Sequence, residues 1–413
     1  MNAGASGWVR DACAIVGIGE TGYSKSSGMT TRALAGAAIR RAVADAGMRP
    51  ADIDGLLSHG MNDSPVSNLV AADLGIRPNF FMDCVGGGAS AEALVALAVG
   101  LIVTGQCRTV AVYRAMNGFS GTRTGGTNRN AIPVISGQDL YSRPFGWSSP
   151  AQTFAPCFMR HMHDFGTRSE QAAMVRVFQS EHAAKNPKAL YRAPVTADDV
   201  LSSRMIATPL HLLDCCVETD SGTCLIITGR EHAHDCRCHP VMIRSVLGRV
   251  CKPRNDLHFE WGPITESAAV YAKDRLWAQA GLGPDDVDVT AAYDAFTYTS
   301  LMLLEDYGFC AKGEGGGYVS DGRTRLGGSR PNNTSGGLLC EGYSNGMNLI
   351  IENVRQLRHD ADDGCPIDST GRRVHTHDHS AAGGCRQVQD AEVAANLAWG
   401  NPGMGSASVL VRG

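Results

Sequence analysis

The chain has no excess of charge of either sign. Thirty-seven Lys and Arg face 41 Asp and Glu, for a net charge of −4. That balance gives no electrostatic footprint for nucleic acid, and that class of partner is set aside. No uninterrupted apolar run reaches the length needed to cross a bilayer, so no membrane association is expected. The stretch from Met1 to Cys13 lacks the continuous apolar core of a signal peptide, so the expected compartment is the cytoplasm. There, 14 cysteines read as reduced thiols and not as a disulfide framework. A hydrophobic content of 43% and a charged content of 19% are ordinary for a soluble globular protein. The 413 residues leave room for two or three substantial cores. Glycine is abundant, with 49 residues and clusters at Gly86–Gly88, Gly315–Gly317, Gly327–Gly328 and Gly336–Gly337, which mark tight turns and close backbone approach.

One segment occurs twice. Ala44-Asp-Ala-Gly-Met-Arg-Pro-Ala-Asp-Ile-Asp54 returns as Ala278-Gln-Ala-Gly-Leu-Gly-Pro-Asp-Asp-Val-Asp288. The offset exceeds half the chain, which points to two similar halves and not to a short-period array. Each half alternates strand and helix patterns. In the first, Cys13–Gly17, Ile53–Ser58, Phe80–Val85 and Thr109–Tyr113 read as strands, and Thr31–Ala46 and Ala89–Thr104 as helices. Gly47 suits the left-handed residue that ends the first helix. In the second, Val241–Val246, Val287–Tyr293 and Ser406–Val411 read as strands, and Thr265–Ala280, Thr299–Tyr307 and Met347–Arg358 as helices. Such alternation predicts an α/β protein with a mostly parallel sheet covered on both faces. The stretch 118–200 is less regular and reads as an inserted loop domain shaping a substrate pocket. Its apolar residues Phe145, Trp147, Phe154, Phe158, Met159 and Met162 suit a bulky ring system or a local core.

Four features invite chemistry they do not support. Gly17-Ile-Gly-Glu-Thr-Gly22 matches the dinucleotide fingerprint, but no helix starts at its third glycine to receive a pyrophosphate. The His232–His239 cluster forms one crowded arm with no partner arm. Cys365, His375, His377, His379 and Cys385 lie in a Gly/Asp/Ser-rich insertion without paired zinc ligands. No metal is assigned to either. Cys215-Cys216 reads as two small side chains facing opposite ways, not as a redox pair.

Three strand ends carry the candidate chemistry. Phe80-Phe-Met-Asp-Cys-Val-Gly-Gly-Gly88 breaks from a strand into a helix start, whose amides suit an oxygen gaining negative charge. Ala292-Tyr-Asp-Ala-Phe296 ends a strand. Asn333-Thr-Ser-Gly-Gly-Leu-Leu-Cys-Glu-Gly-Tyr343-Ser-Asn-Gly346 leads into another helix. In a parallel sheet such ends open on one edge, where ligands bind.

With Leu212-Leu-Asp-Cys-Cys-Val-Glu-Thr-Asp-Ser-Gly222, these segments resemble the thiolase superfamily, in its sterol-carrier and lipid-transfer branch, over essentially the whole length. The resemblance implies the thiolase fold: two duplicated βαβ-rich halves in α-β-α-β-α layers with an inserted loop domain. It divides the chain into a first half over 1–117 and 201–239, the insertion over 118–200 and a second half over 240–413.

The catalytic positions depart from the family. Gapless counting from both sides puts the thiolase nucleophilic cysteine at Gly88, with Cys84 too early. Tyr343 stands where thiolases have histidine in Gly-His-Pro, and Tyr293 where they have Asn or His. The late Cys-x-Gly motif is missing from Asn401-Pro-Gly-Met-Gly405. Without a nucleophile no acyl group can be parked, whereas retro-aldol cleavage of a β-hydroxyacyl-CoA needs no acyl acceptor.

The steroid side-chain-cleaving aldolases of this branch have the same exchange for tyrosines. Tyr293 is then expected to take the β-hydroxyl proton with Tyr343 as its partner, and the two assignments can be exchanged. Gly87, Gly88 and Gly405 are expected at the thioester oxygen, and Asn333, Ser335 and Gly336 at the substrate. The resemblance implies no prosthetic group, a coenzyme A thioester as substrate, a homodimer, and a small zinc-ribbon/OB-fold partner that helps bind acyl-CoA. Two alternatives stand: a thiolase using Cys84 with a lowered pKa beside the helix start, and a non-catalytic lipid or acyl-CoA carrier.

Overall fold

The computed structural model describes residues 8–61, 63–121, 123, 143–147, 149–252, 263–380, 384–400 and 403–413. Nine strands form its main sheet: β1 (Cys13–Glu20), β2 (Gly55–Gly60), β3 (Phe80–Val85), β4 (Thr109–Asn117), β5 (Asp220–Gly229), β6 (Val241–Cys251), β7 (Val289–Ala292), β8 (Val393–Trp399) and β9 (Met404–Arg412). Their order is β3-β2-β4-β5-β1-β6-β9-β8-β7. The two halves join where Ala14 and Ile15 of β1 pair antiparallel with Met242 and Val241 of β6.

Outward from that seam the pattern repeats. β1/β5 and β5/β4 are antiparallel, and β4/β2 and β2/β3 parallel. β6/β9 and β9/β8 are antiparallel, and β8/β7 parallel. A single parallel bridge from Thr290 to Asn332 stands where the second half would have its copy of β3. The expectation of a mostly parallel sheet is therefore corrected. Each half's first and last strands run antiparallel to their neighbours, because these are joined without a crossover of the βαβ kind.

Helices among the described residues include α1 (Thr31–Ala46), α2 (Ser67–Leu74), α3 (Ala91–Val103), α4 (Pro150–Phe165), α5 (Ser169–Ala184), α6 (Ala197–Ser202), α7 (Lys273–Ala280), α8 (Thr297–Asp306) and α9 (Met347–Arg358). Three apolar clusters fill the spaces between the layers. One packs α1 against β1, β2, β4 and β5. A second holds α3 and α9 between the strands of both halves. The third packs α8 and the insertion helices α4 and α5 against β7–β9. The described residues of 118–200 from 149 on are mostly helical, and Phe154 and Phe158 belong to the third cluster. Met159 and Phe145 are exposed.

The repeated segment has a physical content. Gly47 and Gly281 end α1 and α7 at φ 73° and 67°, where only glycine is unstrained. The prolines then open matching 3₁₀ turns, Pro50–Asp52 and Pro284–Asp286. Asp52 and Asp286 accept from the backbone three residues earlier, at 2.8 and 2.7 Å. Asp54 accepts from the Arg108 and Thr109 amides at the start of β4. Its copy Asp288 accepts from the Glu392 and Val393 amides at the start of β8. Each copy therefore pins the start of the parallel strand beside its own in the sheet.

Two further expectations change. The helix expected over Thr265–Ala280 is divided into a 3₁₀ turn, Ala268–Tyr271, and α7, with Ala272 leaving helical geometry at φ −124°. Cys365 and Cys385 are joined in a disulfide and are not free thiols. Gly364 and Gly384 let the two strands of that loop approach, since a Cβ on Gly384 would lie 2.7 Å from the Gly364 carbonyl oxygen. Those two sulfurs are therefore unavailable as metal ligands. Among the described residues no group of three His, Cys, Asp or Glu side chains is arranged to hold a metal. No described helix is long and apolar enough to cross a membrane.

Candidate active site

The fingerprint glycines do not cradle a ligand. A Cβ on Gly17 would meet the Ala42 carbonyl at 2.3 Å, and one on Gly19 the Ala38 carbonyl at 2.2 Å. Gly17 and Gly19 are glycine because α1 lies directly on β1.

The two tyrosines named from sequence come together. Tyr293 follows β7 and donates its amide to Leu397 O at 2.8 Å. Tyr343 is clamped to the start of β5: its amide donates to Thr219 Oγ1 at 2.9 Å, and its carbonyl accepts from Ser221 Oγ at 3.2 Å. Their hydroxyls share a hydrogen bond at 2.8 Å, with the rings edge to face. They are 4% and 7% exposed.

The space explains Gly88. A Cβ there would lie 2.3 Å from Tyr293 Cζ and 2.5 Å from the Trp399 carbonyl oxygen. The Tyr293 ring fills the volume into which a side chain at position 88 would project. On its other side it meets Gly346, where a Cβ would lie 3.1 Å away. The ring is wedged between the starts of α3 and α9, the two copies of one strand-to-helix junction.

Two residues not named as candidates complete the pair. Asn345 Nδ2 donates to the Tyr343 hydroxyl at 2.9 Å. Its Oδ1 accepts from Arg114 Nε at 2.8 Å, which fixes the amide's orientation. Arg114 is 1% exposed and pairs with Asp63 at 2.7 Å. A lone arginine inside an apolar strand was the signal in the sequence.

Burial pushes both tyrosines above their ordinary pKa. Tyr293 is held well above it, because its neighbour's hydroxyl and Cys216 add to burial. For Tyr343 burial and Cys216 act the same way, but the hydrogen bond from Tyr293 and the Arg114 charge oppose them. The Asn345 amide that donates to the Tyr343 hydroxyl gives an anion there a donor besides Tyr293. Cys216 thus sits within electrostatic reach of the pair, and burial raises its own thiol.

The remaining candidates distribute as follows. Gly87 is half-buried and its carbonyl accepts from the Ser90 amide at 3.0 Å. No side chain caps the start of α3, because Arg249 takes the Ser90 hydroxyl as well as the Val85 carbonyl. Gly405 lies in the β8–β9 ladder opposite Trp399. From that late segment it is Trp399 and Gly400 that reach the α3 start: a Cβ on Gly400 would stand 3.2 Å from Ala89 Cβ. Asn401 and Pro402 lie outside the described residues.

Asn333 Nδ2 donates to Ala292 O at 2.8 Å, and Ser335 Oγ to Glu341 at 2.8 Å, so both spend these groups inside the protein. Gly336 precedes the helical turn Gly337–Cys340 at φ 102°. Asp294, just past the end of β7, accepts from the Leu338 and Leu339 amides. Burial raises its carboxyl to about 7 despite those bonds. Cys84 packs in the central cluster, whereas the tyrosines belong to the third. Burial raises its thiol above the ordinary value, which corrects the expectation of a lowered one; Arg249 offsets this only in part.

A five-layered fold from two like halves, with its candidate site between their junctions, defines the thiolase class. The thiolase C-terminal domain-like family matches residues 254–371. Human mitochondrial 3-ketoacyl-CoA thiolase in complex with CoA superposes with a TM-score of 0.68 at 12% identity, over 97% of this chain and 98% of that one, a likeness of fold.

The chain belongs to the thiolase superfamily, in the branch of the steroid side-chain-cleaving aldolases. It is 40% identical over 354 residues to the 17-hydroxy-3-oxo-4-pregnene-20-carboxyl-CoA lyase of Mycobacterium tuberculosis, covering 84% of this chain and 91% of that protein. It is 40% identical over 360 residues to the steroid side-chain-cleaving aldolase of Thermomonospora curvata, covering 84% and 90%. A solved Ltp2-ChsH2(DUF35) aldolase superposes with a TM-score of 0.84 at 36% identity over 98% of both chains.

Proposed function

We propose that the protein is a carbon–carbon lyase that cleaves a bulky, steroid-like β-hydroxyacyl-CoA by a retro-aldol reaction. The observation that carries this reading is the tyrosine pair itself: two hydroxyls 2.8 Å apart, with the Tyr293 ring in the space a nucleophile at Gly88 would need. The similarity to the lyase and the aldolase supports the substrate class.

The step needs a base for the β-hydroxyl. Ionising a tyrosine of ordinary pKa at pH 7 costs about 4 kcal/mol. Tyr343 takes this role, because Asn345, Tyr293 and Arg114 all favour its anion. As it removes the proton, the oxygen's electrons form the ketone or aldehyde carbonyl. The Cα–Cβ bond breaks, and its pair passes into the thioester enolate. Tyr293 relays the proton to the enolate carbon, giving the shorter acyl-CoA. Atoms balance without free coenzyme A, water or a prosthetic group. The amides at the start of α3, around Gly87 and Gly88, face the enolate oxygen.

The insertion over 118–200 shapes the substrate pocket. A homodimer forms along β3, an outer strand of the sheet with Phe81 and Val85 exposed at 49% and 71%. A small acyl-CoA-binding subunit completes the enzyme, a reading supported by the two-component name of the superposed aldolase.

The test is incubation with a steroid β-hydroxyacyl-CoA, with and without the small subunit, and no added coenzyme A. A ketone and a shorter acyl-CoA are expected, unaffected by iodoacetamide. A requirement for coenzyme A together with iodoacetamide block would make the protein a Cys84 thiolase. Tight binding without product would make it a carrier.

A further inference from the structure

A second cleft opens where the end of β1 meets the end of α1, and it holds about 430 Å3. Four cationic side chains line it, Arg41, Lys188, Arg237 and Arg355, against two carboxylates, Glu20 and Asp45. Both carboxylates are already neutralised. Glu20 accepts from Lys188 at 2.8 Å and from Arg355 at 2.7 Å. Burial works against its ionisation, but those cations override it and hold the carboxyl at about 2. Asp45 accepts from Arg358 at 2.8 Å, an arginine behind the wall whose Nη2 is buried without a partner.

Arg41 and Arg237 are left over. Arg41 gives one N–H to the Glu20 carbonyl. Neither guanidinium is ion-paired with a carboxylate among the described residues. Arg237 is held in position: its amide donates to Ala46 O at 3.0 Å, and its Cβ lies 3.0 Å from where a Cβ on Gly47 would be. The glycine that ends α1 therefore also admits Arg237 to the rim.

We infer that this cleft binds a phosphate monoester dianion between Arg41 and Arg237. Two guanidinium groups without a carboxylate partner match the charge of such a group, Arg237 also reaching the Cys238 sulfur. The cleft is walled off from the catalytic pair by Tyr23. That hydroxyl donates to Glu20 at 2.9 Å, and its ring packs on Gly342, where a Cβ would lie 2.2 Å away. The site is therefore separate from the one under Proposed function, and its test requires no turnover.

Calorimetric titration with glycerol 3-phosphate at constant ionic strength provides the test. Saturable binding is expected, weakened at least tenfold in the Arg41→Ala/Arg237→Ala double variant, with melting temperature and cleavage rate unchanged. Arg237→Lys, which keeps charge but loses the fork, should fall between them. Should the double variant fail to fold, Arg237→Gln alone carries the comparison. Absence of saturation by about 10 mM, or equal binding by the variant, overturns the inference. Competition identifies the source of the phosphate. Displacement by coenzyme A but not by dephospho-coenzyme A marks the 3′-phosphate of a coenzyme A molecule held at this separate site. Displacement by neither marks a free phosphorylated metabolite. Equal displacement by both overturns recognition of a terminal monoester.

Discussion

Replacing Gly88 by alanine adds one methyl group and should disable the site. The new Cβ would lie 2.3 Å from Tyr293 Cζ and 2.5 Å from Trp399 O. Comfortable carbon contacts begin near 3.5 Å, so the ring must retreat by about 1 Å. The hydrogen bond to Tyr343, now 2.8 Å, would then stretch beyond useful length. Overpacking of this kind costs about 1–3 kcal/mol, and losing the bond adds about 1 kcal/mol. Chemical denaturation and a cleavage assay read the two effects. In a Tyr293→Ala background the same Gly88→Ala change should cost less stability, because only the Trp399 carbonyl remains in the way. A coupling of about 0.5–3 kcal/mol between the two positions is therefore expected. Additive losses, or a Gly88→Ala enzyme of normal stability and rate, would show that Tyr293 does not occupy the nucleophile's space.

Tyr293→Phe and Tyr343→Phe should each lower the cleavage rate about 10²–10⁴-fold while the protein stays folded, which circular dichroism and steady-state kinetics report together. Asn345→Ala removes the donor that steadies the Tyr343 anion, so the rate should fall and the pKa of the ascending limb of the pH–rate profile should rise; an unchanged profile would remove Asn345 from the relay. Arg114→Lys keeps charge but loses the Nε–Asn345 geometry, and should shift that profile in the same direction by less. Asp294 is carried at about 7 against an ordinary 3.8. Because its folded-state pKa is raised, its contribution to stability is fully present below about pH 4. It is lost as pH rises towards 7, at a cost of about 4 kcal/mol. Asp294→Asn should flatten that fall in a pH series of denaturation curves.

Much was legible without a structure, for stated reasons. Periodicity fixed α1 and α9 to the residue, because both have a sharp apolar face and a glycine or arginine-rich end. The repeated Asp-[Ile/Val]-Asp announced two halves, since the same aspartates must pin the same strand starts in each. The alternation pattern cannot report strand direction, which depends on how chains return, so the antiparallel pairs at the seam went unread. Residue identity shows neither the pairing of Cys365 with Cys385 nor the break at Ala272.

The informative absence in this chain is local. Sequence alone determined that position 88 has no side chain and that tyrosines stand where histidine or asparagine is expected. Only the tertiary structure decided why these belong together. The Tyr293 ring takes the volume that the missing side chain vacates, and its hydroxyl meets Tyr343 across the two junctions. Asn345 and Arg114, 231 residues apart in the chain, orient that meeting. Contacts of that separation are set by the packing of one half against the other, which no local pattern encodes.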